Sequence, residues 1–447
     1  MSPYAQHWGI VGGGMLGLTL AHRLRQRGHD VTVLEAGASL GGLAAAWQLG
    51  DITWDKHYHV MLLSDSRLRA LVGELGLEPE CRWTQTKTGF YTDGRFHSMS
   101  NTMEFLSFPP LGLIDKLRLG ATIFYASKIK NWRKLERIPV ADWLRRWSGG
   151  RTTEKIWIPL LRSKLGESYR DASAAFIWAI IARMYAARRS GLKKEMFGHV
   201  QGGYARILKR FAEVLDEAGV TLRTQAPVRA IRSSGDGPRV EMADGETLPF
   251  DRVVVTAAPP LTVRLCPDLN PAERARLQGV RYQGIVCASM LLKNSLGPYY
   301  VTNITETWVP FTAVIEMSAL VDKAAFGGNA LVYLPKYVAP DDPLFDESDD
   351  SIRERFLQAI EKMYPHFRRD DVLTFKLSRV RHVFAISTLN YSAQVPPITT
   401  SLPGVYLVNS SQIVNGTLNV NETVQLAENS LEQMLAAAEP TVAEAAR

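Results

Sequence analysis

Gly12, Gly14 and Gly17 stand between an apolar run ending at Val11 and a segment of helical character that begins at Met15 and Leu16. This spacing suits a turn that holds a dinucleotide. Gly12 lets the chain turn sharply, Gly14 lets the backbone approach a pyrophosphate, and Gly17 lets the next helix pack close on the sheet. The helix predicted from about Met15 to Gln26 points its free N–H groups and positive dipole end at the phosphates. Val31 to Leu34 then leads to Glu35, whose carboxylate can accept hydrogen bonds from both ribose hydroxyls and would repel a 2′-phosphate, so NADP is disfavoured. A second glycine pair follows at Gly41-Gly42. Beyond it, Trp54 to Val60 carries His57, Tyr58 and His59, residue types that act as acid or base or orient a substrate. In an extended segment His57 and His59 share one face and Tyr58 takes the other, which favours the histidine pair.

Elements must position these groups. At 447 residues the chain exceeds one ordinary core, and two lobes are expected. The runs ending at Val11 and Glu35 read as buried strands about the first helix, and a hairpin is expected around Asp93-Gly94. Residues 96–195 read as mostly helical. Gln201-Gly202-Gly203-Tyr204 opens a helix over Ala205 to Ala218 whose Ile207, Leu208, Phe211 and Leu215 recur every three to four residues. A short meander with an Asp244-Gly245 turn leads to a buried strand from Arg252 to Ala257, a return to the first lobe. From about 266 to 394, β-rich runs alternate with a helix over Ser351 to Met363, which suits an antiparallel sheet. Gly404 to Val408 reads as another buried strand, and a helix from about Thr423 to Ala437 closes the chain.

The fold class expected is therefore α/β. A Rossmann-like nucleotide-binding domain, with a parallel sheet and a β-meander, comprises 1–95, 196–265 and 395–437. It is interleaved with an α+β substrate-binding domain over 96–195 and 266–394, and 438–447 is expected to be a flexible tail.

Composition is 46% hydrophobic and 22% charged, that of a soluble globular protein. Cys81, Cys266 and Cys287 are scattered, with no CxxC and no metal-ligand grouping, so they read as small buried hydrophobes in a reducing compartment and no metal site is expected. The first strand begins too early for a cleavable signal peptide. The longest apolar run, Ala172 to Ala182 broken only by Ser173, is short of the ~20 residues that span a bilayer. Synthesis in the cytoplasm is the expectation. The net charge of +7 is uneven, since residues 101–200 hold 19 Lys and Arg against 8 Asp and Glu. Within 105–135, Ile114, Leu117, Ala121 and Phe124 fall at helical spacing, with Lys116, Arg118, Lys128, Lys130, Arg133 and Lys134 around them. The commoner arrangement for such a segment is a core-facing helix with a solvated basic rim. The alternative is peripheral contact with the anionic inner face of a membrane. No nucleic-acid-binding motif accompanies the charge.

With these landmarks in order, the chain resembles the FAD-dependent amine oxidase superfamily over nearly its full length, in particular the branches of protoporphyrinogen oxidases and phytoene desaturases. The residues that carry the resemblance are the glycines at 12, 14 and 17, Arg27-Gly28-His29 with Val31 to Ala36, and Leu40-Gly41-Gly42. Gly202-Gly203, Phe250 to Val254 and the terminal strand–loop–helix from Gly404 add to it. The resemblance implies FAD, held through its ADP half and pyrophosphate by Gly12, Gly14, Met15, Leu16, Gly17, Glu35, Ala36, Gly41, Gly42 and Leu43. It implies that Val228 meets the adenine through its backbone, that Ser410 stands where relatives contact the phosphate or ribityl chain, and that the helix start at Asn421 and Thr423 faces the flavin. It also places His57 and His59 beside the isoalloxazine, with Tyr391 as a further aromatic against the ring. Two departures stand out. Relatives often carry arginines where this chain has Ser39 and Leu43, and a Gly-Asp where it has Asn409 and Ser410.

The function expected is that of a flavin-dependent dehydrogenase, desaturase or oxidase. It would take hydride at flavin N5 from a hydrophobic or amphipathic small molecule and pass electrons to oxygen, a quinone or another carrier. Two alternatives share the architecture. One is a redox-neutral enzyme similar to UDP-galactopyranose mutases, with Arg162, Arg170, Arg183 and Arg188 as candidate pyrophosphate clamps. The other is a non-catalytic lipid-binding module similar to GDP-dissociation inhibitors.

Overall fold

A computed structural model describes residues 5–189 and 196–438 of the chain. Segments far apart in sequence form one five-stranded parallel sheet, in the order Thr221–Arg223, Asp30–Leu34, His7–Val11, Arg252–Val255 and Val405–Leu407. Apart from the half-exposed edge strand Thr221–Arg223, its strands are largely buried on both faces, as a parallel sheet covered on each side requires. Trp8, Ile10, Val33 and Val254 pack on the side of the helices Met15–Gln26, Gly203–Glu217 and Val420–Ala438. Val11, Leu34, Val253 and Val255 face the other way, beneath the three-stranded meander Val228–Ser234, Gly237–Met242 and Thr247–Pro249. The α/β class with a parallel sheet and meander is thus observed. The expected tail falls, from residue 439, outside the described residues.

The second sheet has seven strands, in the order Val372–Ala385, Tyr282–Leu292, Ala330–Val338, Ala313–Glu316, Val301–Ile304, Thr88–Thr92 and Arg95–Ser98. All of its pairs are antiparallel except Val301–Ile304 with Thr88–Thr92. The hairpin about Asp93-Gly94 forms as the sequence suggests, but it belongs to this sheet, so the boundary expected at residue 95 moves back before Thr88. Pairing partners some two hundred residues away decide that membership, and no local signal reports it.

Helices Leu113–Ala126, Val140–Ser148, Ile158–Leu165 and Ala174–Arg189 pack beside this sheet. The first of them reverses the reading of a core-facing stripe. Ile114, Leu117 and Phe124 are 74%, 63% and 55% exposed, and Ala121 is exposed with them. The inward face is made by Leu119, Thr122, Ala126 and the stem of Lys116, whose Nζ donates to the Leu106 carbonyl at 2.7 Å. Leu106, Met103 and Leu113 extend the outward apolar patch, and Arg118, Lys128, Lys130, Arg133 and Lys134 surround it in solvent. No described helix is long and apolar enough to cross a membrane.

Candidate functional site

The first strand hands over to the first helix through a turn that tolerates no side chain. A Cβ on Gly12, where φ is +117°, would lie 2.2 Å from Thr256 Oγ1, and one on Gly17 would lie 2.0 Å from the Gly12 carbonyl oxygen. The helix starts at Met15 without a side-chain cap, leaving its first N–H groups available to an anion. The second glycine pair lies backbone to backbone against this turn. Gly41 N–H donates to the Gly13 carbonyl at 2.8 Å, and a Cβ on Gly42 would come within 3.3 Å of Gly14 Cα. Glu35 is fixed at the end of its strand, accepting from Gly13 N–H through Oε2 and from Gly37 N–H through Oε1, each at 2.7 Å.

These groups open onto a cavity of about 1190 Å³ that runs on between the two sheets. Gly12, Gly14, Met15, Leu16, Glu35, Ala36, Gly41, Gly42, Leu43 and Val228 line one end. Ser410 and Thr423 line it as well, beside the start of the closing helix, and so do His57 and His59. The rest is mostly apolar, with Trp157, Leu160, Phe176, Ile177, Ile180 and Ile315 in its wall. Three of the named residues lie elsewhere. Gly17 sits behind the turn as packing. Asn421 turns away, and its Oδ1 accepts from Arg67 and Leu68 N–H at 2.9 and 3.2 Å, tying two helix starts together. Tyr391 is a correction: it is buried off the cavity wall with its hydroxyl donating to the Ser411 carbonyl at 2.7 Å, so it does not line the site.

The two histidines differ in kind. His57 Nδ1 pairs with the Leu43 carbonyl at 3.1 Å and Nε2 with Ser378 Oγ at 3.1 Å, while burial lowers its pKa below the ordinary value. A neutral ring with both nitrogens engaged holds the second glycine loop in place and is poorly set for proton transfer. His59 lines the cavity, but its Nδ1 is buried without a partner, its ring lies 5.0 Å from that of Tyr204, and burial pushes its pKa down to about 3. Its ring is therefore a neutral imidazole at ordinary pH. Tyr58 shares the wall, its hydroxyl 2.7 Å from that of Tyr337, so strict alternation does not hold in a segment outside any strand.

Of the candidate clamp arginines, Arg162 and Arg170 are exposed and paired with Glu167. Arg183 lines the cavity but is engaged by buried Asp65 through three contacts of 2.9–3.2 Å. The Arg188 side chain lies outside those described. Lys164 on the helix Ile158–Leu165 and Tyr337 also line the cavity and escaped the sequence reading. Neither sits in a motif, and only the packing of that helix on the strand Ala330–Val338 brings them there.

The residues present fit FAD. An uncapped helix start, a carboxylate at the second strand end and two facing glycine turns supply the nucleotide end. The volume exceeds the roughly 300–1,000 Å³ of an ordinary ligand cleft, as a site for a dinucleotide plus a second molecule must. Among the described residues, no group of three or more His, Cys, Asp or Glu could hold a metal ion.

Comparison with known proteins agrees with this geometry. The profile of the family described as flavin containing amine oxidoreductase matches residues 16–420. The chain is 23% identical over 279 residues to the 15-cis-phytoene desaturase of Solanum lycopersicum, a stretch covering 58% of this chain and 47% of that protein. It is 29% identical over 293 residues to the putrescine oxidase of Kocuria rosea, covering 57% of each. The matches thus span about half the length of these relatives. A protoporphyrinogen oxidase-like protein from Exiguobacterium sp. 255-15 superposes with a TM-score of 0.74 at 21% identity, covering 98% of this chain and 100% of that one, a likeness of fold.

Proposed function

The chain belongs to the flavin containing amine oxidoreductase family, with FAD as its cofactor, and from that premise we propose that it is an oxidoreductase acting on a hydrophobic or amphipathic small molecule. One observation carries the reading: the nucleotide-binding end and the apolar end are parts of the same cavity. FAD bound at the first end supplies the hydride acceptor. The protein's own part is to orient and to exclude water. His57 holds the Leu43 loop, His59 adds a neutral ring to the wall, and Trp157, Leu160, Phe176 and Ile177 give the substrate a dry surface. Electrons then leave to oxygen, a quinone or another carrier.

The substrate side of the protein also suits peripheral contact with the inner face of a membrane. Trp157 and Leu160 of the cavity wall pack in the same apolar cluster as Leu119 and Ile123, on the helix that bears the exposed Ile114 and Leu117. An apolar substrate dissolved in lipid would thus be taken up on the side of the protein that carries the patch, with lysines and arginines nearby to attract anionic headgroups. The test of the activity is anaerobic addition of candidate apolar substrates to the yellow protein. Bleaching of the flavin bands, reversed by oxygen or a quinone, is the expected result. Persistent absorbance across hydrocarbon, carboxylate and amine substrates would overturn the proposal.

A further inference from the structure

Lys164 occupies an unusual position in the apolar part of the cavity. Its Nζ lies 5.4 Å from the centre of the Tyr337 ring and 5.8 Å from that of Phe384. The residue is half-buried in the cavity wall and makes no hydrogen bond or ion pair to any described residue. The nearest influential charge is Arg183, which repels it and is itself engaged by Asp65. Among the described residues lining the cavity the only carboxylate is Glu35, bonded to the glycine turns at the nucleotide end. A cation partly withdrawn from water among aromatic rings and without a counter-ion is costly, and a bound anion relieves that cost. The rings offset only part of it. Conversely, this part of the wall offers no carboxylate to receive an ammonium group.

We propose that Lys164 anchors an anionic group, a carboxylate, on an otherwise apolar substrate, and that the cavity discriminates against amines. The inference rests on the oxidoreductase reading for the word substrate, but its test reads binding alone. Burial lowers the Lys164 pKa to about 8, so the anchor is charged below that pH and fades above it. The other groups facing it do not change charge in that window. Tyr337 is raised to about 12, Tyr58 lies well above the ordinary tyrosine value, His382 is lowered below the ordinary histidine value, and Arg183 is engaged by Asp65.

The experiment titrates the flavin-loaded protein with decanoate, 1-decanol and decylamine, following the flavin spectrum and the emission of tryptophan, since Trp157 is in the wall. Decanoate is expected to bind at least ten-fold more tightly than decanol, and decylamine more weakly than either. Lys164→Met should abolish the decanoate preference while leaving decanol unchanged, and Lys164→Arg should keep most of it. Raising the pH through about 8 should erode the preference in the parent protein only. Equal affinities, a preference that survives in Lys164→Met, or no binding of decanoate overturns the proposal. So does a Lys164→Met protein that keeps the binding ratios but loses flavin reduction, since that assigns the lysine to the reacting atoms. If the preference holds and no substrate ever bleaches the flavin, the oxidoreductase reading falls and the anchor stands.

Discussion

Leu43 and His57 are joined by a hydrogen bond of 3.1 Å between the leucine carbonyl and the histidine Nδ1, and this bond ties the second glycine loop to the rest of the protein. The other ring nitrogen meets Ser378 on the long strand Val372–Ala385 of the second sheet, also at 3.1 Å. With Nδ1 donating to a carbonyl, Nε2 accepts from the serine hydroxyl, and the neutral ring bridges the two lobes.

Replacing His57 with Phe keeps the bulk and removes both bonds. Reconstitution of the apoprotein with FAD should then need roughly ten-fold more cofactor, the effect of about 1.4 kcal/mol, which is in the range for one or two net hydrogen bonds. Substrate affinity should change less. An unchanged FAD titration would remove His57 from the positioning of the glycine loop.

His59 sets an acid limit on stability. Its folded pKa of about 3 lies below the ordinary 6.5, so the folded ring stays neutral where the unfolded one takes up a proton. The contribution is therefore complete above pH 6.5 and is lost as the pH falls towards 3, at most about 1.4 kcal/mol per pH unit. Urea unfolding at pH 7 and pH 5 should show a larger loss for the parent protein than for His59→Phe. Equal losses would mean that this ring does not govern the acid side.

Gly17→Ala tests the turn directly. The new Cβ would meet the Gly12 carbonyl oxygen at 2.0 Å, and backbone cannot yield as a side-chain tip can. The helix start must shift, costing roughly 1–3 kcal/mol or more. Purified variant protein should have a lower melting temperature and substoichiometric flavin. Full flavin content with an unchanged melting temperature would contradict the packing described.

Ile114→Asp with Leu117→Asp addresses the membrane patch, whose side chains touch little of the protein. Folding stability should stay within about 0.5 kcal/mol, as for surface substitutions generally. Co-sedimentation with vesicles containing phosphatidylglycerol should fall at least ten-fold, and binding by the parent protein should weaken with added salt. Equal sedimentation of both proteins would make the patch irrelevant to lipid.

What could be read from the sequence was the chemistry whose parts lie close together in the chain. Gly12, Gly14, Gly17 and Glu35 fall within a single βαβ unit, so their spacing alone implies the turn that the structure shows. Periodicity likewise placed Ile114, Leu117 and Phe124 on one face of a helix. It could not say that this face looks outward, because that depends on which side of the helix the lobe covers. The nearness of Tyr391 in sequence to the strand Val405–Leu407 suggests a place at the site, yet the chain between them runs as a loop that leaves the ring bonded to the Ser411 carbonyl instead. Lys164 went unnoticed for the opposite reason. Nothing near it in the chain marks it, and its neighbours Tyr337 and Phe384 come from strands well over a hundred residues later.

The hairpin Thr88–Ser98 has a consequence for how the protein is made. It emerges from the ribosome with an unpaired edge, and its parallel partner Val301–Ile304 follows some two hundred residues later, roughly 10–40 s at ordinary rates of elongation. The five-stranded sheet waits longer still for Val405–Leu407. Through that interval both sheets present open hydrogen-bonding edges and uncovered apolar faces, the condition under which nascent chains stick to one another. Production of soluble protein should therefore depend on slow synthesis and on chaperones that shield the first third of the chain.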